Sequence, residues 1–96
     1  MTIQTTLLDQ VAQTLQIPEE ELLRQGLTAY LERQLRMVKA EIFELYGRYH
    51  IASVQEMEAR YKDGTLEEAN SWQDFKRLDH LEYKRDQLQQ LLENVG

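Results

Sequence analysis

Pairs of carboxylates at helical spacing are the residues of this chain with the clearest capacity for chemistry. Glu41 and Glu44 stand three residues apart, as do Asp79 and Glu82, and this spacing places both side chains on one face of a helix. Two carboxylates held together can act as a general acid and a general base. In a chain that is 29% charged, such pairs are far more often solvated helix faces. We therefore expect no catalytic residue and no enzyme activity.

The residues that bind metals and cofactors are equally sparse. Neither His50 nor His80 follows a glutamate by three residues, so the Glu-x-x-His motif of helical di-iron sites is absent. No two histidines lie four residues apart to bind zinc, and the chain has no cysteine. Asp63-Gly64 lacks the alternating oxygen ligands of a calcium loop, and no glycine-rich phosphate loop occurs. The sequence predicts no metal, cofactor or small-molecule substrate.

The charge and hydrophobicity of the chain limit the kinds of partner that it is expected to bind. The chain carries 17 Asp and Glu against 11 Lys and Arg, and the half from 51 to 96 is more acidic (net −4) than the half from 1 to 50 (net −2). DNA binding through bulk electrostatics needs clustered Lys and Arg, so DNA is a disfavoured partner. Short apolar runs interrupted by charge exclude a membrane-spanning helix, and the N-terminus does not resemble a secretory signal. We expect a cytoplasmic protein.

The element that organises the chain is a long helix predicted from about residue 18 to residue 49. Its apolar positions follow one another in steps of four, three, four, three and four, the repeat of a coiled-coil seam. A rod about 48 Å long cannot fold back on itself, so the rest of the chain, a second copy or another protein must cover this seam. We predict self-association, as a dimer or larger oligomer, through Leu31, Leu35, Val38, Ile42, Leu45 and Tyr49.

The remaining segments predict further helices around this one. A first helix is expected from about 6 to 15, although alternation over residues 1–6 also suits a short strand. The capping box at Ser53 to Glu56 predicts a connector helix over 54–62, which Asp63-Gly64 ends. A long last helix begins at 66 or 72 and ends at 94. The predicted fold is an all-α helical hairpin in a single domain over 1–96, with a self-association half (1–50) and a capped helical half (51–96).

The C-terminal half also contains candidates for contact with a partner. Its apolar stripe is less regular than the seam of the long helix, as suits a segment that completes its packing on another chain. Aromatic residues anchor interfaces well because they bury much area with few rotatable bonds. The predicted partner-binding residues are Tyr61, Trp72, Phe75 and Leu78. The alternative is that residues 66–95 cover the long helix within one chain.

Two segments resemble small helical antitoxins of prokaryotic toxin–antitoxin pairs. Residues 7–36 are similar to the two-helix part of these proteins, in which a short helix, a tight turn and a longer Leu-rich helix form a dimer core. Residues 53–92 are similar to small helical proteins encoded beside toxins, through the Ser53-x-x-Glu56 cap, Gly64, Trp72 and the leucines that follow. The resemblance implies a protein that binds and neutralises a partner toxin.

The same resemblance suggests one further function, and a helical scaffold is an alternative that does not depend on the resemblance. In ribbon-helix-helix antitoxins, a strand before the first helix pairs with its dimer mate and reads DNA, which would assign DNA binding to Thr2, Gln4 and Thr6. That segment lacks the usual Arg or Lys. The alternatives to the antitoxin function are thus a ribbon-helix-helix transcriptional repressor and a helical oligomeric scaffold. Strand pairing by residues 1–6 across a dimer would favour the repressor.

Overall fold

The computed structural model describes the backbone of residues 3–95 and the side chains of residues 6–95. Four helices follow one another: α1 (Ile3–Leu15), α2 (Glu19–Tyr49), α3 (Val54–Lys62) and α4 (Glu68–Val95). The structure is 87% helical and contains no strand within residues 3–95. The expectation of an all-α hairpin built on one long helix is confirmed.

Helix α1 begins earlier than the sequence suggested. It starts at Ile3 and not near residue 6, so the alternative of a strand is wrong for residues 3–6, while residues 1 and 2 lie outside the described part. At its other end, Gln16 takes a left-handed conformation (φ 56°), and the Ile17 amide donates to the Ala12 carbonyl at 3.0 Å. This is the hydrogen-bond pattern that usually closes a helix with glycine.

Helix α2 runs without a break through Gly47. Pro18 precedes it with extended backbone, and the acidic side chains of its first turn suit the positive end of the helix dipole. The helix ends at Tyr49, where His50 adopts φ 56° and the Ile51 amide donates to the Tyr46 carbonyl at 3.0 Å. Arg60 of α3 adds a side-chain cap, because its Nη1 donates to the Tyr49 carbonyl at 2.5 Å.

Helix α3 has the predicted bounds because its caps work as the sequence indicated. The Ser53 hydroxyl accepts from the Glu56 amide at 3.1 Å, and the Glu56 carboxylate accepts in return from the Ala52 amide at 3.0 Å. Gly64 ends the segment with φ 78°, a conformation that favours glycine.

Helix α4 begins at Glu68, at neither of the two predicted starts. The reason lies in Thr65, whose hydroxyl donates to the Asp63 carboxylate at 2.6 Å. This local turn engages Thr65 and delays the helix beyond residue 66. The other candidate start, Ser71, lies inside the helix, and its hydroxyl donates to the Glu67 carbonyl at 2.7 Å.

Helices α2 and α4 pack antiparallel, and α3 covers their closed end. The molecule is elongated, with extents of 61 × 23 × 18 Å, and one cluster of buried apolar residues joins these three helices. The cross-helix contacts Glu41–Arg77, Tyr46–Glu82 and Arg48–Asp74 together set a register in which Val95 lies opposite about residue 28 of α2. Residues 3–30, which we call the N-terminal arm, therefore lie largely beyond the end of α4.

No helix in the described part of the chain combines the length and the apolar character needed to cross a membrane.

The core makes a direct prediction for stability. Leu78 is fully buried, so Leu78→Ala should lower the free energy of unfolding by about 2–5 kcal/mol, through lost burial and the cavity left behind. Leu91 lies on the same helix but is 49% exposed, and Leu91→Ala should cost less than about 1 kcal/mol. Urea denaturation followed by circular dichroism measures both. Equal losses would contradict the packing of α4 on α2.

Candidate functional site

The carboxylates that the sequence offered for acid–base chemistry are engaged in structural contacts or exposed. Both oxygens of Glu41 accept from Arg77, at 2.6 and 2.7 Å, and Glu44 accepts from Arg48 at 3.1 Å. Asp79 is exposed. Among the described residues, no three His, Cys, Asp or Glu side chains cluster to hold a metal ion. Of these carboxylates, Glu41 joins α2 to α4 through Arg77, whereas the Glu44–Arg48 pair lies within α2.

Glu82 differs from these, because it is buried at the junction of three helices. Its Oε2 accepts from the Tyr46 hydroxyl of α2 at 2.6 Å and from the Val54 amide of α3 at 2.9 Å. Val54 is the first residue of α3, where backbone amides lack partners within the helix and a carboxylate is favoured by the helix dipole. The sequence analysis placed Glu82 on a solvated face, and this was wrong.

Burial at this junction also affects Tyr46. Removal from solvent, followed by the hydrogen bond to Glu82, raises the pKa of the Tyr46 hydroxyl, while Arg85 nearby partly opposes the shift. The higher pKa keeps the hydroxyl protonated and therefore keeps it a donor to the Glu82 carboxylate. The group acts as a fixed hydrogen-bond donor between helices and has no feature of a general base.

A second polar junction lies nearer the closed end of the hairpin. The Asp74 carboxylate of α4 accepts from the Tyr49 hydroxyl and, at 2.8 Å, from Arg48. The Tyr49 hydrogen bond is the main cause, and Arg48 a further cause, of a lowered Asp74 pKa. This junction fastens the last turn of α2 to α4.

The seam predicted for self-association lies beneath α4. Val38, Ile42 and Leu45 are buried within the chain, and Leu31, Leu35 and Tyr49 pack against the same cluster while partly buried. Of the three possible covers for the seam, the rest of the chain, a second copy or another protein, the structure shows the rest of the chain. Self-association through these six residues stays a prediction, and a second copy would reach the buried ones only by displacing α4.

The residues predicted to bind a partner divide into two kinds. Leu78 is fully buried and has no surface for a partner. The other three lie together: Phe75 stacks on Trp72 with ring centroids 5.3 Å apart and meets the Tyr61 ring, tilted by 59°, at 5.5 Å. Trp72 is 42% exposed, and we call Tyr61, Trp72 and Phe75 the aromatic cluster. It offers a largely apolar face carried by α3 and α4.

Two of the three residues assigned to DNA under the repressor alternative are described by the structure, and neither forms a strand. Gln4 and Thr6 lie within α1, and Thr2 is outside the described residues. A ribbon-helix-helix dimer needs an extended segment here, so the geometry of residues 3–6 gives no support to that arrangement.

Several exposed hydrophobic residues were missed by the sequence reasoning. Leu23, Tyr30 and Met37 are between 52% and 62% exposed, and Phe43 and Tyr83 are 77% and 62% exposed. The first three are spaced seven residues apart, which marks a second stripe on α2. That period was present in the sequence but was hidden by the stronger seam beside it.

Comparison with protein families gives one match over the full length of the chain. The model of the Uncharacterized protein MJ0235 family matches residues 1–96. The chain belongs to the MJ0235 family. No curated protein and no solved structure matches this MJ0235-family chain.

The Glu82 junction predicts a specific coupling in the MJ0235-family chain. Tyr46→Phe removes one donor to a buried carboxylate and should lower the free energy of unfolding by about 1–3 kcal/mol. Most of this loss should vanish in a Glu82→Ala background, because the acceptor is then absent. Tyr83→Phe, at an exposed position of α4, should have almost no effect. Chemical denaturation of the four variants measures the coupling, and additive losses would contradict the junction.

Proposed function

We propose that this MJ0235-family chain is an antitoxin-like protein–protein interaction module, which binds a partner toxin in the cytoplasm and neutralises it. The observation that carries this proposal is the aromatic cluster, in which the half-exposed Trp72 stacks on Phe75 and Phe75 in turn contacts Tyr61. Interfaces place much of their binding energy in such anchors. The resemblance of two segments to prokaryotic antitoxins supplies the class of partner.

The aromatic cluster is suited to binding because little order is lost when a partner covers it. Trp72 is stacked on Phe75, and the Tyr61 hydroxyl is hydrogen-bonded to Ser71 Oγ at 2.7 Å. Side chains that are already fixed lose little conformational entropy on association. A partner that buries the open face of Trp72 therefore gains apolar contact with little loss of side-chain conformational entropy.

The acidic charge of the C-terminal half suits a basic toxin surface. Residues 51–96 carry a net charge of −4, and complementary charge accelerates encounter more than it adds affinity. Neutralisation would then act by covering the toxin, with no chemical step. This matches a chain whose described carboxylates are engaged in packing contacts or exposed.

A helical oligomeric scaffold is the second candidate function. The elongated shape, 61 Å in its longest dimension, and the large exposed hydrophobic residues of the N-terminal arm favour it. A scaffold would assemble with itself and show no selectivity for a toxin, so binding to the product of an adjacent reading frame separates the two functions.

The toxin proposal predicts a complex with the product of an adjacent small reading frame. Trp72 is the only tryptophan of the chain, so 5-fluorotryptophan labelling gives a single fluorine signal at the aromatic cluster. Adding the unlabelled partner should shift this signal. In co-purification, Trp72→Ala should weaken the complex by about 2 kcal/mol, the cost typical of an interface anchor, whereas Phe43→Ala on α2 should not.

These outcomes separate the two parts of the proposal. Failure of the wild-type chain to bind the adjacent product would refute the antitoxin function. A complex that forms while the Trp72 signal stays unchanged would place the contact elsewhere on the chain.

A further prediction concerns DNA. The acidic balance and the helical residues 3–6 lead us to expect no specific DNA binding by the isolated protein at physiological salt. Fluorescence anisotropy with a fragment of its own promoter measures this. Tight binding with a steep salt dependence would favour the repressor instead.

A further inference from the structure

The N-terminal arm leaves large apolar side chains in contact with solvent. Among its described side chains, residues 6–30, only Ala12 is buried. Ordering each helical residue costs conformational entropy, and the burial of one alanine offsets little of that cost. A further surface over the arm would supply the missing burial. The exposed hydrophobic residues of the arm are Leu7, Leu15, Leu23, Leu27 and Tyr30.

One face of α2 has the spacing of a second coiled-coil stripe. Its residues follow in steps of four, three, four, three and four, and all of them are exposed. Gly26 leaves open space in the stripe, since a Cβ added there would meet no atom within 4 Å. The face therefore has the periodicity and the room that a second helix needs. Its members are Glu19, Leu23, Gly26, Tyr30, Arg33 and Met37.

The charges along this stripe are not balanced within one chain. At its N-terminal end, the neighbouring carboxyl group of Asp9 raises the pKa of Glu19. Two neighbouring carboxyls would be stabilised by a cation. Further along, Arg33, Arg36 and Lys39 take part in none of the ion pairs found among the described residues. An acidic end and a basic end thus lie on one helix, too far apart to neutralise each other.

We propose that a second copy of this chain covers the arm, with the two α2 helices antiparallel and crossing near Gly26 and Leu27. In this register Tyr30 of each copy meets Leu23 of the other, and Arg33 of each copy lies beside Glu19 of the other. A parallel pair would oppose like charges at both ends. The antiparallel pair is isologous, as a two-fold dimer requires, and it leaves the α2–α4 core closed.

Leu23 also borders an apolar groove between α1 and α2 that suits an aromatic ring. The groove has a volume of about 320 Å³. Tyr30 is 62% exposed, and a tyrosine can bury its ring while the hydroxyl stays at the rim. Tyr30 of the second copy therefore fills the groove in the proposed register. The side chains that line it are Leu7, Leu8, Val11, Leu22 and Leu23.

Sedimentation equilibrium of the full-length chain, alone, tests the proposal. The wild type should be a dimer at micromolar concentration. Tyr30→Asp should raise the dimer dissociation constant about 30-fold or more, the size of an interfacial hot spot. The matched control is Tyr83→Asp on α4, because Tyr83 is also 62% exposed, and it should leave the constant unchanged. Circular dichroism checks that each variant keeps its helices.

A charge exchange tests the antiparallel register. Arg33→Glu alone and Glu19→Arg alone should each raise the dissociation constant about tenfold, because two ion pairs per dimer become repulsive contacts. The double variant carrying both changes should recover the dimer, since each new Arg then meets a new Glu. In a parallel dimer each of these residues would face its own copy, so neither single exchange would weaken the dimer relative to wild type and the double variant would have nothing to recover.

Each remaining outcome overturns the proposal. A folded wild-type monomer, a Tyr30→Asp dimer as tight as wild type, or a double variant that does not recover would each contradict it. If the wild type is monomeric and Tyr30→Asp weakens the complex with the adjacent toxin-like product, the toxin covers the arm in place of a second copy. Because the sedimentation samples contain no toxin, the dimer and the antitoxin function can fail independently.

Discussion

The packing of the hairpin depends on the hydrogen bonds that the buried carboxylate of Glu82 accepts. Taking a carboxylate out of water is costly unless its oxygens are hydrogen-bonded, and here one oxygen accepts from both α2 and α3. Hydrophobic contacts alone would let the helices slide along one another, whereas the bond from Tyr46 fixes α2 against α4 and the bond from Val54 fixes the first turn of α3 against α4. Met57 of α3 is consequently held at full burial under the closed end.

Because α4 and α3 cover the seam of α2, the surfaces left for partners are elsewhere. A stripe with a regular coiled-coil spacing usually indicates an oligomer interface. Here, however, Val38, Ile42 and Leu45 are buried within a single chain. What stays open is the stripe on a neighbouring face of α2, and the aromatic cluster where α3 meets α4. Any partner of the folded chain would therefore meet these surfaces and not the buried seam.

Local signals in the sequence predicted the helices well. The features that were not predicted depend mainly on contacts between residues far apart in the chain. The cap at Ser53 and the stop at Gly64 gave the bounds of α3, since both act within a few residues. The role of Glu82 was not predictable, because its partners Tyr46 and Val54 lie 36 and 28 residues away. The predicted start of α4 was wrong for a more local reason, because a turn between Asp63 and Thr65 competes with helix capping at Thr65.

The two proposed surfaces are far apart, and their separation bears on how they would work together. Trp72 lies near the start of α4 and the arm near its end, which are about 35 Å apart along the helix. A dimer formed through the arms would therefore leave both aromatic clusters free, facing away from the two-fold axis. Such a dimer could hold two toxin molecules, or two sites on one toxin oligomer with the gain in avidity that linked sites provide. A shorter hairpin could not keep the proposed dimer contact and the proposed toxin contact apart. The 31-residue length of α2 provides the distance between them.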